Sequence, residues 1–351
     1  MMTNPMAIRS APEDLTFQAE MLQRVSRTFA LTIPQLPNPL SDVVGNAYLL
    51  CRIADTVEDE PALSVDQKRA FSERFVEVVA GRDEAVAFAR DLGASLSSST
   101  PEAERDLAAA TARIVRITHG LRARQRRAIE RCIGIMTRGM VEFQQQASPH
   151  GLRDVSQLDR YCYCVAGVVA EMLAELFCDH SAAIDEEREK LTAQSVSYGH
   201  GLQMTNILKD IRGDLRRGAC WLPRSVFSAA GFDLRSLSTG TAHPGFARGL
   251  TELVAITRHH LTEGLRFILM IPARETGIRR HLLWTLGLSV LALRRLHATS
   301  SFRSGQKMEL SRSSVRAVIL LASVLARFDF ALRLLFEAAT HGLPPAAPLR
   351  S

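Results

Sequence analysis

The chain has 351 residues, with 43 Lys+Arg against 37 Asp+Glu and a formal net charge of +6. Apolar residues make up 46% and charged residues 23%, with only 21 Gly and 14 Pro, which excludes a disordered, fibrous or low-complexity chain. The length admits one large domain or two average ones, and the small basic excess admits nucleic acid, a membrane surface or a phosphorylated substrate without choosing among them.

Helix-period hydrophobicity recurs along nearly the whole chain, and alternating β-branched runs bounded by Asn-Gly or Asp-Gly turns are absent. In chain order the pattern predicts helices near 18–31, 41–59, 64–80, 83–96, 101–118, 121–146, 156–178, 184–216, 222–229, 245–270, 274–297 and 311–340. Pro34, Pro37, Pro39, Pro61, Gly81, Pro101, Pro149, Gly151, Gly218, Pro223, Pro244 and Pro272 fall between them as breakers. Ser64 and Thr100 read as N-caps, with Pro101 at a first helical position. Gly231–Pro244 is the clearest long loop. With no repeat and no linker-like stretch, 1–351 reads as one all-α domain, ending in a loose tail over 342–351.

The six cysteines, Cys51, Cys132, Cys162, Cys164, Cys178 and Cys220, form no Cys-x-x-Cys pair and sit mostly in apolar helical context. They read as small hydrophobes in a reducing, cytoplasmic compartment. Met1–Leu15 has no apolar run, so no signal peptide is expected. The apolar stretches Leu282–Leu293 and Ala317–Ala326 fall short of the ~20 residues a spanning helix needs, and arginines bound both.

The first segment with chemical content is Asp42–Asp59. On a helix, Tyr48, Arg52, Asp55 and Asp59, spaced 4, 3 and 4, fall within about 60° of arc. Val43, Val44, Leu49, Leu50, Ile53, Ala54 and Val57 surround that stripe, and a helix apolar around most of its girth is buried. Buried Arg and Asp then need partners or a metal. The competing reading is an exposed face with ion pairs among Arg52, Asp55 and Glu58. The second segment is Tyr198–Pro223. There Asn206, Asp210 and Asp214, spaced 4 and 4, put three oxygen-bearing side chains on one face, with Lys209, Arg212, Arg216 and Arg217 nearby and Gly218 stopping the helix. Oxygen-only ligands suit a hard cation, Mg²⁺ above all, which completes its shell with water and substrate phosphate. Carboxylates on two helices, with Arg and Lys beside them, can clamp a diphosphate through metal ions.

Four pieces in order carry a resemblance. They are Ser26-Arg27-Thr28-Phe29; Tyr48 and Arg52 leading into Asp55-Thr-Val-Glu-Asp59; Tyr161-Cys-Tyr-Cys-Val-Ala-Gly167; and Gln203 through Asp214, continuing to Arg217-Gly218 and Trp221-Leu-Pro223. Over roughly residues 15–300 the chain resembles the squalene/phytoene synthase family of head-to-head isoprenoid condensers. Asp-Thr-Val-Glu-Asp, Trp221 ahead of Leu-Pro, and Lys307-Met-Glu-Leu-Ser-Arg312 resemble the squalene synthase form, and the late Tyr-Arg-Arg of phytoene synthases is not evident. Gly213-Asp214 stands where the family usually has an acidic pair, which leaves the number of second-motif ligands open. Lys209 stands where Arg is usual, keeping the charge and losing the fork.

The resemblance implies an all-α isoprenoid synthase fold with a central cavity, the two acidic helices facing each other across its mouth. It implies that Asp55, Glu58, Asp59, Asn206, Asp210 and Asp214 hold Mg²⁺. Ser26, Arg27, Phe29, Arg52, Gln203, Asn206 and Lys209 would bind substrate, and Tyr48 and Tyr161 would stabilise a carbocation or take a proton. The implied substrate is farnesyl diphosphate. The implied first product is a cyclopropylcarbinyl diphosphate, reduced with NADPH to squalene, or left as a dehydro product without hydride. Phytoene, or the cyclopropyl diphosphate alone, is the alternative product. Substrate and product are lipids, so peripheral contact with a membrane is compatible with the reading.

Arg113, Arg116, Arg122, Arg124, Arg126, Arg127 and Arg131 put seven arginines in nineteen residues. No aromatic residue and no nucleic-acid motif accompanies them, which favours a solvated face over a non-catalytic nucleic-acid-binding module. His259-His260 lacks a third ligand in helical register and reads as a surface or capping pair. No Gly-x-Gly-x-x-Gly follows a strand, so NADPH has no Rossmann site here.

Overall fold

The structure, a computed structural model, describes residues 10–26, 28–238, 243–299 and 310–347. Arg27 and Lys307–Glu309, singled out above, lie outside the described residues. So do 239–242 of the long loop and 348–351 of the tail. Among the described residues the chain is helical nearly throughout, and its β content is one isolated parallel bridge between Leu152 and Pro223.

The helices are α1 (Pro12–Val25), α2 (Phe29–Thr32), α3 (Leu40–Asp59), α4 (Val65–Val79), α5 (Ala85–Ser95), α6 (Glu102–Ala109), α7 (Thr111–Gly120) and α8 (Ala123–Gln145). Then come α9 (Val155–Cys162), a π turn over Tyr163–Gly167, α10 (Val168–His180), α11 (Ala182–Asp185), α12 (Arg188–Arg216) and α13 (Arg224–Ala229). After a 3₁₀ turn at Leu234–Ser238 follow α14 (Pro244–Met270), α15 (Thr276–Thr299), α16 (Arg312–Leu325) and α17 (Asp329–Thr340). They gather into two compact units, Met1–Gln145 with Met172–Arg188, and Gln146–Glu171 with Glu189–Ser351.

In the first unit α3 is the central helix, packed by α1, α4, α6, α7 and α8. Its apolar girth is buried as the sequence requires, with Val43, Leu49, Leu50 and Ile53 fully covered. The one buried amide on it, Asn46, is satisfied: Nδ2 donates to the Ile114 carbonyl (2.9 Å) and Oδ1 accepts from Thr118 (2.8 Å). An unmet pair of that kind would cost a few kcal/mol. Ser64 caps α4 in a capping box with Gln67.

Thr100 does not cap α6. Its hydroxyl is taken by the buried Glu60 carboxylate, and Pro101 is the N-cap without a side-chain bond. Burial opposes the charge on Glu60, yet hydrogen bonds from Thr100, Ser97 and Ala62 hold its carboxyl at about 2. The helix expected over 101–118 is two helices meeting at Ala110. The first helix begins at Pro12 rather than 18, with proline in its first turn.

The second unit is held by aromatic packing of Phe227 on Phe246 (5.3 Å, stacked) with Phe232 across both, and by α14, α15, α16 and α17 against one another. Residues 342–347, expected as loose, are tied to α14. Arg258 donates to the carbonyls of Leu343 (2.8 Å) and Pro344 (2.9 Å), and the Ala347 amide donates to Ala255 (3.2 Å). His260 is buried rather than a surface group. It stacks on His200 (5.2 Å, 25°), neither ring nitrogen has a hydrogen-bond partner, and burial pushes its pKa down to about 3.

One stretch, Val155–His180, is long and apolar enough by length and composition to cross a membrane, and 56% of its most apolar window is buried. The shorter apolar segments Leu282–Leu293 and Ala317–Ala326 lie on α15 and, up to Leu325, on α16. All six cysteines are free, five of them buried.

Candidate functional site

The first acidic motif lies at the C-terminal end of α3, in the first unit. Helical register brings Tyr48, Arg52 and Asp55 onto one stripe, to which Ser26, ahead of α2, and Phe29, its first residue, are added. The Phe29 ring packs on Tyr48 (4.9 Å, 38°), and the Phe29 amide donates to Ser26 Oγ (2.9 Å). Arg52 contacts Asp55 (3.5 Å) and makes a second, closer ion pair with Glu104 of α6. Its Nε is buried with no hydrogen-bond partner. A buried, unmatched N–H is costly unless an acceptor arrives.

Asp55 presents a third of its side-chain surface to solvent. Burial nonetheless raises its carboxyl to about 7, with Arg52 opposing and Asp59 adding to the rise. Accessible yet densely surrounded describes a carboxylate in a concave place, poorly hydrated and short of positive charge. Half-buried Glu58 and exposed Asp59 complete the helix. Tyr48 is also raised, by burial first.

Three nearby groups escaped the sequence reading. Glu104 holds Arg52, while Lys68 and Gln144 (2.8 Å) donate to the Glu58 carbonyl. Glu104 carries one weak signal, an acidic side chain in the first turn of α6, which sequence logic assigns to the helix dipole.

The second acidic motif lies on α12, in the second unit. Asn206, Lys209 and Asp210 are exposed, Gln203 is half-buried one turn earlier, and Asp214 is buried. Lys209 donates to Asn206 Oδ1 (3.3 Å). The three oxygens do not lie on one straight helical face, because Asp210 has non-helical φ/ψ (−111°, 18°) and kinks the helix. Its carboxylate folds back over position 213. A Cβ there would stand 2.6 Å from Asp210 Cγ, and closer still to Oδ1. Glycine at 213 therefore gives Asp210 room to converge with Asp214 on one guanidinium, Arg217, at 3.3 and 2.6 Å. Gly218 (φ +78°) then ends the helix, as expected.

Tyr161 belongs to the same unit. Its ring stacks on Trp221 (4.2 Å, 10°), joining two motifs that are 60 residues apart in sequence. The π turn that follows is where α12 approaches closely: a Cβ on Gly199 would stand 2.7 Å from Ala166 C and 2.9 Å from Gly167 Cα. π turns inside helices are common at functional sites. Beside it, His200 donates Nδ1–H to Val196 (2.7 Å) and points Nε2 at Asp159 (3.1 Å). Burial lowers its pKa, but the Asp159 contact more than offsets this, so the net shift is upward.

Whether Mg²⁺ fits can be tested on the donor chemistry. The donors are oxygens, burial raises Asp55 to about 7 despite Arg52 beside it, and Arg52 Nε lacks an acceptor, which suits a cation together with a phosphate. Arg217 marks the point where Asp210 and Asp214 converge on positive charge. Among the described residues no three His, Cys, Asp or Glu side chains form a closed cluster. A Mg²⁺ ion held by these carboxylates would therefore have to complete its shell from water and substrate phosphate. For NADPH, the described residues contain no strand–turn–helix dinucleotide unit, and no donor set is assigned to it.

The arginine-rich window is not a free basic face. Arg113 and Arg116 pair with Asp14 (2.9 and 2.8 Å), Arg122 pairs with Asp179, Arg124 with Asp185 (2.8 Å) and Arg126 with Glu130 (3.4 Å).

A sequence profile of the squalene/phytoene synthase family matches residues 22–314. The squalene synthase of Schizosaccharomyces pombe is 25% identical over 270 residues, covering 76% of this chain and 56% of that protein. The chain thus spans a little over half the length of the curated relatives it matches. Among solved structures, a complex of TcSQS with the ligand BPH1237 superposes with a TM-score of 0.79 at 21% identity, over 93% of this chain and 90% of that one. A dehydrosqualene synthase with bound ligand superposes at 0.63 and 18% identity, over 89% and 95%. At these identities the likeness establishes the all-α isoprenoid synthase fold. With the profile matched over most of its length, the chain belongs to the squalene/phytoene synthase family.

Proposed function

We propose that the chain catalyses the Mg²⁺-dependent head-to-head condensation of two farnesyl diphosphates, through a cyclopropylcarbinyl diphosphate, to squalene, with NADPH as hydride donor. The proposed setting is the cytoplasm, with peripheral contact to a lipid surface. The observation that carries the reading is Asp55, an accessible carboxylate held at about 7 by burial, next to an arginine whose buried Nε lacks an acceptor.

Asp55, Glu58 and Asp59, and Asp210, Asp214 and Asn206, are the residues that would hold Mg²⁺. Bound there, the metal would neutralise charge on the diphosphate leaving group. Arg52, Lys209 and Arg27 would contact phosphate oxygens. Ser26, Phe29 and Gln203 would shape the substrate's seat. Tyr48, a neutral phenol at pH 7, would offer its ring face to a carbocation, and so would the stacked Tyr161.

The test is incubation with farnesyl diphosphate and Mg²⁺, with and without NADPH, following diphosphate release and hydrocarbon. Hydrocarbon that appears only with NADPH supports squalene. Hydrocarbon without NADPH substitutes dehydrosqualene, release that stops at the cyclopropyl stage substitutes that diphosphate, and a preference for the longer geranylgeranyl diphosphate substitutes phytoene. Asp210→Ala should abolish release while the helical circular-dichroism signal persists. Absence of release under every condition sinks the enzymatic reading.

A further inference from the structure

Among the described residues nine large apolar side chains stand exposed, and six of them fall within fifteen residues: Leu320, Leu321, Val324, Phe328, Phe330 and Leu334. They occupy the corner formed by α16 and α17. On α16 the helical period separates two faces. Ser314, Val318 and Ala322 line a cleft against α15, while Arg316, Leu320 and Val324 face outward. Phe328 and Phe330, 58% and 74% exposed, stand at the turn itself.

This corner is not a frayed end. Arg279, only 1% exposed, donates Nε to the Ile271 carbonyl (2.8 Å) and Nη1 to the Ala326 carbonyl (3.0 Å) and Asp329 (2.6 Å). A buried guanidinium therefore fixes the turn on which both phenylalanines project. Next to them an apolar cleft of about 390 Å³ runs between α15, α16 and α17, lined by Leu286, Val290, Leu321, Leu335 and Phe336 among others.

The charges around the patch are predominantly positive. Between 310 and 347 the exposed arginines are Arg312, Arg316, Arg327 and Arg333. The acidic groups are Glu337 and Asp329, and Asp329 is neutralised by Arg279. Exposed apolar side chains interleaved with arginine fit an anionic bilayer surface, where the rings enter the headgroup–acyl boundary and the guanidiniums meet phosphate. A second copy of the chain fits worse. A twofold self-interface would gather the arginines of both copies within one apolar patch, and the cores of protein interfaces are depleted in charge.

We propose that the α16–α17 corner is a membrane-docking surface for anionic lipid, with Phe328 and Phe330 as its fixed wedge. The proposal deepens the lipid-surface contact put forward above and rests on that reading, while using no residue of either acidic motif.

The test is co-sedimentation of the full chain with vesicles of phosphatidylcholine alone or mixed with phosphatidylglycerol. The parent should bind the anionic vesicles. The Phe328→Asp/Phe330→Asp variant should bind them about tenfold more weakly or worse. The Arg316→Gln/Arg327→Gln/Arg333→Gln variant should lose the preference for anionic over neutral vesicles. The changes fall on exposed positions, so melting temperature and turnover of farnesyl diphosphate in detergent without vesicles should match the parent. The proposal is overturned if the parent stays in the supernatant or if the phenylalanine variant binds as the parent does. It is also overturned if sedimentation velocity reveals a dimer that Phe330→Asp dissolves, which would make the corner a self-interface. Absence of turnover in the parent would strike the enzymatic reading and leave the docking result standing.

Discussion

Asp55 links stability and function through a single proton. Its carboxyl sits near 7 in the fold against an ordinary 3.8, with burial as the main cause. An acid raised on folding stabilises the chain fully below its unfolded value, and that stability is lost as pH rises through the folded value. The metal-free protein should therefore weaken between about pH 4 and pH 7 on account of this group. Asp55→Asn, which keeps the shape without the charge, should melt at a higher temperature than the parent at pH 8 without Mg²⁺, yet lose diphosphate release by roughly 10²- to 10³-fold or more. Because the cation and the proton compete for the same oxygens, added Mg²⁺ should raise the parent's melting temperature more at pH 8 than at pH 6 and do little for the variant. Differential scanning calorimetry at both pH values checks each statement. Gly213 makes a second case. Alanine there should cost less than about 1 kcal/mol in urea unfolding, since helix propensity favours it and only the exposed Asp210 side chain must move. It should still raise the Mg²⁺ concentration needed for half-maximal release, because Asp210 can no longer converge with Asp214. Spacing singles out Asp55 as a candidate, and the family resemblance draws attention to Gly213. Their environment is not legible in the sequence: the buried Nε of Arg52, the hold of Glu104 and the kink at Asp210 depend on contacts distant in sequence.

Helix periodicity places most elements within a few residues, since each helix must bury one face. The exceptions have local physical causes. Thr100 has the chemistry of an N-cap, but the buried Glu60 carboxylate competes for its hydroxyl and wins. The π turn at Tyr163–Gly167 leaves no trace in the hydrophobic pattern, because one extra residue per turn shifts the phase without breaking it. What it accommodates is a backbone-to-backbone approach. At Gly199 the obstacles to a Cβ are the Ala166 carbonyl group and Gly167 Cα, and neither can rotate away as a side chain can. Gly199→Ala is accordingly expected to destabilise by about 1–3 kcal/mol, in contrast to Gly213→Ala, where the obstacle is a flexible carboxylate. Paired urea-unfolding curves of the two variants decide it, and equal costs would mean that the approach of α12 to the π turn is looser than drawn.

At the scale of the whole molecule, a net charge of +6 overstates how much free positive surface the arginine-rich window offers. At least five of its seven arginines are committed to carboxylates, and two of them, Arg113 and Arg116, close over Asp14 and dock α1 onto α7. Hydrogen bonding from Arg116, and then from Arg113, outweighs burial and holds the Asp14 carboxyl at about 2. The cover over Asp14 is the arginines themselves, a thin layer at the surface, so the pair is worth less than a deeply buried one. Arg113→Gln/Arg116→Gln should then lower stability by about 1–3 kcal/mol at neutral pH, because it uncovers a carboxylate that has given up its water. The sign of the pH dependence follows from the depressed value. The parent's advantage is fully present above the ordinary 3.8 and disappears as pH falls toward 2, so the two stability curves should converge in acid. If the window served nucleic acid instead, the double variant would melt like the parent and lose a steeply salt-dependent affinity for duplex DNA. Urea unfolding from pH 7 down to pH 3, beside a salt titration of DNA binding, separates the two outcomes, and the pairing geometry favours the loss of stability.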